Sequence, residues 1–318
     1  MNTPLIIYSP LHKKHNPPLE IYDGVFEKYA EKPERVENIL SDLKKNKIGE
    51  IIAPKKFPDA YIRKIHHHAY VDYLKRRCEK IEKDDVLYPS FFITDTYAPV
   101  VKSTYDAAAE AVNVALTGAG EILGEKNLAY SLCRPPGHHS ESSSMGGYCY
   151  FNNAAIVAEF LSEKGKVAIL DVDFHHGNGT QQAFYERDDI LYVSIHADPL
   201  RRYPYKTGFS DENGKGKGRG YNKNYPLEIG TGDGEYFPIL EKAVRVIIDF
   251  KPKFLVVSLG FDTYEKDPIG GFKLTIPFYE KMGQEIKKIN SPTLIVQEGG
   301  YFIDDLGKMA ISFLRGIS

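Results

Sequence analysis

Four short apolar runs in the second half of the chain most constrain its fold: Val167-Ala-Ile-Leu170, Ile190-Leu-Tyr-Val-Ser-Ile195, Phe254-Leu-Val-Val-Ser-Leu259 and Thr293-Leu-Ile-Val296. Each is nearly continuous and rich in β-branched residues, without the polar alternation of a strand that has one wet face. Strands buried on both faces are the mark of a parallel sheet. The segments Gly179 to Glu186, Gly234 to Phe250 and Ile276 to Ile289 show helical periodicity, as does Ala154 to Lys164 before the first run. Strand and helix therefore alternate, which predicts an α/β protein.

A chain of 318 residues with 42% hydrophobic content can bury one large core, and residues 1–318 read as a single domain. The formal net charge of -2 shows no global bias toward nucleic acid or a membrane surface. The start, Met1-Asn-Thr-Pro-Leu-Ile-Ile-Tyr8, lacks the charged and apolar regions of a leader, and no apolar run approaches the roughly 20 residues of a spanning helix. A soluble, cytoplasmic protein is expected. Cys78, Cys133 and Cys149 are too few for a disulfide framework and form no CxxC pair, so they read as reduced core residues. The glycine- and lysine-rich segment Asp211 to Gly220 lacks the Lys-Ser/Thr ending of a phosphate-binding loop and reads as a solvated loop. At least two of His66, His67 and His68, in the helical-looking stretch Asp59 to Arg77, read as surface or packing residues, because adjacent side chains point apart.

In open α/β sheets ligands bind beyond the carboxyl ends of the strands, and polar cargo follows three of the four runs. Asp171-Val-Asp173-Phe-His175-His176-Gly177-Asn178-Gly179 follows the first, Gly260-Phe-Asp262-Thr-Tyr-Glu265 the third, and Glu298-Gly-Gly-Tyr301 the fourth. Carboxylates held close at a buried strand end repel and desolvate badly, and a divalent cation removes that penalty. In an extended segment Asp171, Asp173 and His175 share one face, and Asp262 becomes available from the neighbouring strand end. Mixed carboxylate and imidazole ligands suit zinc, with iron or cobalt also fitting, and three protein ligands leave a coordination position open for water or substrate. The competing reading of Asp262 is a helix N-cap.

Upstream, Ser131-Leu-Cys-Arg134-Pro-Pro-Gly-His138-His139 joins an extended segment to a rigid turn and a histidine pair, and Gly146-Gly147-Tyr148-Cys-Tyr-Phe-Asn152-Asn153 opens a helix. Together with the three strand-end motifs, in this order, these residues closely resemble the histone deacetylase and acetylpolyamine amidohydrolase superfamily over nearly the whole chain. Ser258-Leu-Gly-Phe-Asp-Thr-Tyr-Glu-Lys-Asp-Pro-Ile269, Phe272-Lys-Leu-Thr275 and Phe184-Tyr-Glu-Arg-Asp-Asp189 look most like the bacterial acetylpolyamine amidohydrolases. The resemblance implies the arginase/deacetylase α/β fold, a central, mainly parallel eight-stranded sheet flanked by helices.

It also implies zinc-dependent hydrolysis of an acetamide, with Asp173, His175 and Asp262 as the zinc ligands. By the same resemblance His139 accepts the proton of the attacking water and later protonates the leaving amine, while His138 supports charge in the transition state. Asp171 would hydrogen-bond His138 and favour its charged form, whereas neutral Asn178 would stand beside His139 and leave it able to take a proton. Tyr301 matches the tyrosine that faces the oxyanion, and Gly147, Tyr148 and Tyr203 match walls of the tunnel that receives the acetylated arm. A structural potassium ion is implied near Asp171, Asp173, His175, Ser194 and Ile195.

The bacterial polyamine enzymes carry a long insertion before the helix that begins near Thr104, and this chain has only Lys75 to Lys102 there. In the family that insertion builds a homodimer contact and narrows an acidic entrance. Asp95 is a candidate for orienting a polyamine nitrogen or an acetyl-lysine backbone, and it also fits a turn; Glu265 is another acid near the rim. The substrate expected is a small acetylated amine such as an acetylpolyamine, with an acetyl-lysine protein as the alternative. A metal-binding protein without catalysis would have no need of His138, His139 and Tyr301 together. A two-manganese arginase-like centre would want carboxylates where Phe174 and His176 stand.

Overall fold

The computed structural model describes residues 3–124 and 126–318; Met1 and Asn2, part of the start read for a leader, and Glu125 lie outside the described residues. The first half contributes β1 (Leu5–Ile7), β2 (Leu19–Tyr22), β3 (Val25–Lys28), α1 (Glu34–Lys45), β4 (Glu50–Ile52), α2 (His68–Lys80), α3 (Thr104–Leu123), β5 (Leu128–Ser131) and α4 (Asn153–Ser162). The second half alternates regularly: β6 (Val167–Asp171), α5 (Asn178–Phe184), β7 (Ile190–Ala197), β8 (Asn222–Leu227), α6 (Asp233–Phe250), β9 (Phe254–Leu259), α7 (Ile276–Lys287), β10 (Thr293–Gln297) and α8 (Ile303–Ile317).

Eight of these strands form one sheet in the order β4-β1-β5-β10-β9-β6-β7-β8, and every neighbouring pair is parallel. The four apolar runs are β6, β7, β9 and β10, and the reason they read as continuous is visible in the packing. Val167, Ile169, Ile190, Tyr192, Val256 and Val296 join a core with α2, α3, α4 and α5. Ala168, Leu170, Leu191, Val193, Val257 and Ile295 join the opposite core with α1, α6, α7 and α8. Each strand thus alternates between two dry faces, and neither face requires polar residues.

The chain lays β6 three strand positions away from β5 and later fills the two-strand gap with β9 and β10. That crossover places the carboxyl ends of β10, β9 and β6 side by side, with Asp171 in register with Ser258 and Ser258 with Val296. The three motif-bearing loops leave the sheet from this rim.

Two expectations need correction. The helical-looking stretch Asp59 to Arg77 is divided into a single 3-10 turn, Ile62–Lys64, and α2. His67 is extended, with ψ of 136°, and its side chain accepts from Ala69 N, so it caps a new helix. The segment Asp211 to Gly220 is not wholly solvated either. Glu212 turns inward and accepts from Gly208 N (2.7 Å) and Gln181 Nε2 (2.8 Å), fastening the loop to α5. His67 and His68 are exposed, His66 is buried, and all three cysteines are free and buried. No helix among the described residues is long and apolar enough to cross a membrane.

Behind the rim lies a buried ion cluster. Glu31 Oε1 accepts from Arg35 Nη1 (2.5 Å) and from Arg134 Nε (2.9 Å), and all three side chains are at most 1% exposed. Arg134 also donates to the carbonyls of His12, His15 and Glu31, and Arg35 to those of Glu298 and Gly300. Removing the single carboxylate would strand two guanidinium ions in the interior. Glu31→Ala should therefore cost about 3–5 kcal/mol, read as a lowered urea midpoint; a loss below about 1 kcal/mol would show that the carbonyls alone satisfy the arginines.

Candidate active site

β6 ends at Asp171, and the chain does not continue extended as expected from the sequence but bends through Asp173, Phe174 and His175, which keeps Asp173 and His175 at the same rim. The carboxylates there are tied down by backbone amides, Asp173 through both oxygens and Asp262 through one. Asp173 Oδ1 accepts from His175 N (2.9 Å), Asp173 Oδ2 from Gly299 N (2.8 Å), and Asp262 Oδ1 from Phe174 N (2.9 Å). The last contact accounts for Asp262: it braces the loop after β6 rather than capping a helix. Asp262 Oδ2 is left facing His175 Nδ1 at 3.0 Å, and Asp173 Oδ1 lies 3.5 Å from the same nitrogen.

The ligand atoms of Asp173, His175 and Asp262 lie within 4.8 Å of one another. Burial first, and then the charge of Asp173, push the Asp262 carboxyl up from its ordinary range, while the two carboxylates lift the His175 imidazole to about 9 against its burial. The point between these three residues thus demands a positive charge, which is what a divalent cation supplies. Space is tailored to match, since a Cβ on Gly299 would come within 2.6 Å of both carboxylates. A second group, His138, Cys149 and Glu298, also converges. It suits a cation less well, because burial holds the Cys149 thiol protonated and His138 is engaged by Asp171.

The Arg134 to His139 turn delivers the histidine pair, with Gly137 N and His138 N donating to Glu298 Oε2 at 2.7 and 3.2 Å. The two imidazoles lie 4.0 Å apart, centroid to centroid, but have different partners. His138 Nδ1 is 3.1 Å from Asp171 Oδ2, and His139 Nδ1 is 2.8 Å from Asn178 Oδ1. Burial disfavours charge on both. Asp173 and Asp171 outweigh it for His138, raising that imidazole to about 10, while burial together with His138 and His175 drives His139 well below its ordinary value. The same residue type is thus held charged at one position and neutral at the next.

Tyr301 follows Gly300, whose φ of +114° turns the chain sharply into α8. The Arg35 guanidinium lies 4.7 Å from the Tyr301 ring centroid, and the Tyr148 ring 5.6 Å away. His139, His175, Gly147, Tyr148, Tyr203 and Tyr301 line one cavity of about 520 Å³ that opens past Glu20, Glu27, Lys28 and Arg202. Asp95 stands behind this wall rather than on it. Its carboxylate accepts from Gly147 N (2.9 Å), Tyr203 Oη (2.5 Å) and Tyr97 N (2.7 Å), so it is consumed in holding the wall in place. Glu265 is exposed and does not line the cavity. Ser194 and Ile195 are buried on β7, with Ser194 in register with Asp171 and its hydroxyl 2.7 Å from His196 Nδ1.

Comparison with known proteins decides the family, because the histone deacetylase domain matches residues 29–317. The chain belongs to the histone deacetylase family. Acetylpolyamine amidohydrolase 2 of Pseudomonas aeruginosa is 41% identical over 98% of both chains. The acetylpolyamine amidohydrolase of Mycoplana ramosa is 37% identical over 98% of this chain and 99% of its own. The crystal structure of an acetylpolyamine aminohydrolase from Burkholderia pseudomallei superposes with a TM-score of 0.93 at 35% identity, covering 99% of this chain and 98% of that one. This deacetylase family member is an enzyme acting on acetyl amides, of a metal-dependent class, and its eight-stranded parallel sheet is the fold expected from the resemblance.

Several residues of this deacetylase site escaped the reading of the sequence. Glu20 is 5% exposed and lines the cavity; its Oε1 accepts from Tyr148 Oη (3.1 Å), and its buried Oε2 has no hydrogen-bond partner among the described residues. Asp267 accepts from Tyr301 N (2.6 Å) and Phe302 N (3.2 Å), fixing where the tyrosine enters α8. The strand pattern does not mark Glu20, because β2 inverts the usual arrangement by burying its acid and exposing Leu19 and Tyr22.

The donor set predicts a response to metal that does not depend on turnover. After chelation, adding Zn2+ should raise the thermal midpoint, by the equivalent of about 2.7 kcal/mol at a hundred times Kd. Asp262→Asn should abolish the shift, and an equal shift in that variant would place the cation elsewhere.

Proposed function

We propose that the chain is a zinc-dependent deacetylase that releases acetate from acetylated polyamines or similar small acetylated amines. The observation that carries this reading is that one aromatic cavity is lined by His175 of the Asp173, His175 and Asp262 trio, by His139 of the differentiated histidine pair, and by Glu20. Of the four charged side chains that line the cavity, only Glu20 is buried, and an acid at that place among the aromatic walls favours a cationic amine. The names of the relatives from Pseudomonas aeruginosa and Mycoplana ramosa support the same substrate class.

Zinc held by Asp173, His175 and Asp262 would supply Lewis acidity toward the amide carbonyl and make a water nucleophile accessible near neutral pH. His139, neutral and with Nδ1 engaged by Asn178, has Nε2 free to take the proton of that water and to return it to the departing amine. His138 keeps its charge through its contact with Asp171 and stabilises the negative charge that develops. The Tyr301 hydroxyl donates to the oxyanion from the opposite side, and Tyr148 and Tyr203 pack along the aliphatic arm. Glu20 pairs with the amine that lies beyond it.

Acetate release should be measured from N-acetylputrescine, N8-acetylspermidine and an acetyl-lysine peptide. The polyamines should be preferred, and Tyr301→Phe should lower kcat by about 100- to 1000-fold. A preference for the peptide would reassign the enzyme to protein lysine deacetylation, and release independent of Tyr301 would overturn the proposed chemistry. Glu20 supplies a further check, since burial raises its carboxyl to about 7. Protonation removes its charge, so KM for the cationic substrates should rise as pH falls through about 7. In Glu20→Gln, KM should be high throughout, by roughly 10-fold, the equivalent of about 1.4 kcal/mol.

A further inference from the structure

The partner of Asn178 is itself controlled. On the side away from His139 Nδ1, the Asn178 amide nitrogen donates to Glu141 Oε1 at 2.7 Å and to the His139 carbonyl at 3.2 Å. A carboxylate accepts and cannot donate, so the group facing it must be the NH2 and the group facing His139 must be the carbonyl oxygen. An asparagine amide is otherwise free to turn over, and turned over it would offer His139 Nδ1 a donor. His139 would then have to carry its proton on Nε2, the nitrogen that has to be empty to receive one.

We propose that Glu141 is a positioning residue: it fixes the direction of the Asn178 amide and thereby the tautomer that His139 presents to substrate. The proposal rests on the deacetylase reading above and deepens it.

Glu141 is well placed for this role. Its side chain is 16% exposed, and Lys206 Nζ lies 2.9 Å from the same Oε1 that takes the Asn178 amide, which holds the carboxylate in place. Its main chain is anchored from the interior. The buried His66 accepts from Asn152 N through Nε2 (2.8 Å) and so carries its proton on Nδ1, which donates to the Glu141 carbonyl (2.9 Å). His66 belongs to the histidine run that had no assigned purpose in the sequence. It connects the mouth of α4 to the residue that orients Asn178, and the chain of contacts runs from His66 through Glu141 and Asn178 to His139.

A double-mutant cycle tests this on the full-length, metal-loaded enzyme. In Glu141→Gln the new amide can either donate or accept, so the shorter of the two orienting contacts no longer sets a direction, only the 3.2 Å contact to the His139 carbonyl still does, and shape is kept. In the wild-type background kcat should fall roughly 10-fold, with KM within about twofold. Asn178→Asp provides two equivalent acceptor oxygens and has no direction to set. In that background Glu141→Gln should cost nothing, and it should raise kcat, because it replaces a carboxylate facing the new carboxylate with a donor. Nitrogen-15 NMR of the His139 ring should show the Nδ1–H form in the wild type and a mixture in Glu141→Gln. An equal loss in both backgrounds, a loss confined to KM, or no loss at all would overturn the role of Glu141. Full activity in His139→Ala would instead remove the deacetylase reading on which the role depends.

Discussion

Four carboxylates, those of Asp171, Asp173, Asp262 and Glu298, lie buried together at the carboxyl ends of β6, β9 and β10, none more than 1% exposed. Left alone, such a group would repel itself and forfeit its hydration, a cost of several kcal/mol per ion. The surrounding structure is arranged to offset it. Glycine amides at positions 137 and 299 donate to Glu298 and Asp173, Tyr192 Oη donates to Asp171 (3.0 Å), and His138 stands between Asp171 and Asp173. Arg35 reaches in from α1 to the carbonyls of Glu298 and Gly300 and brings its charge with it. The parallel order of the sheet matters because it alone brings the three strand ends to one place. What remains is a deficit of positive charge at the point shared by Asp173, His175 and Asp262, which a divalent cation would meet.

The centre of the sheet was legible in the sequence because burial on both faces leaves uninterrupted apolar runs. Its margins were not, for the same reason inverted. β8 reads Asn222-Lys-Asn-Tyr-Pro-Leu227 and pairs only with β7, and Asn222 and Asn224 turn their amides onto Gln181 Oε1 at 2.9 and 2.8 Å. An edge strand that packs against a polar network carries no apolar signature. β1 and β4 have three residues each, too few for periodicity to emerge. In the β2–β3 hairpin, Tyr22, Val25 and Phe26 are exposed and Glu20 is buried, so alternation there points the wrong way.

A similar division applies to the site. Asp171, Asp173, His175, Asp262 and Tyr301 were legible as candidates because each lies at or just beyond the end of a strong strand, where topology predicts a ligand site. Arg35, Glu141 and Asp267 were not. Each acts through a contact distant in sequence, as when Arg35 donates to a carbonyl 265 positions away. Nothing local marks such a residue. Asp95 is the intermediate case: the sequence singled out the right acid near the right loop, but three donors already occupy it, and only the packed structure shows that it supports the cavity wall.

The wall and the floor are consequently held by different parts of the chain. Tyr148 adopts a φ of +67°, a conformation that costs a non-glycine residue of order 1–3 kcal/mol, and its hydroxyl is held by Glu20 from β2. Gly147 and Tyr203 are held by Asp95 from the segment after α2. The reactive groups, by contrast, depend on strand ends of the central sheet and on the histidine turn. A change in β2 or in the segment after α2 can therefore reshape the entrance while leaving Asp173, His175 and Asp262 in register. The cavity walls and the acidic floor are separable in this fold because carboxylates from outside the central sheet grip the aromatic walls, whereas the sheet itself fixes Asp173, His175 and Asp262.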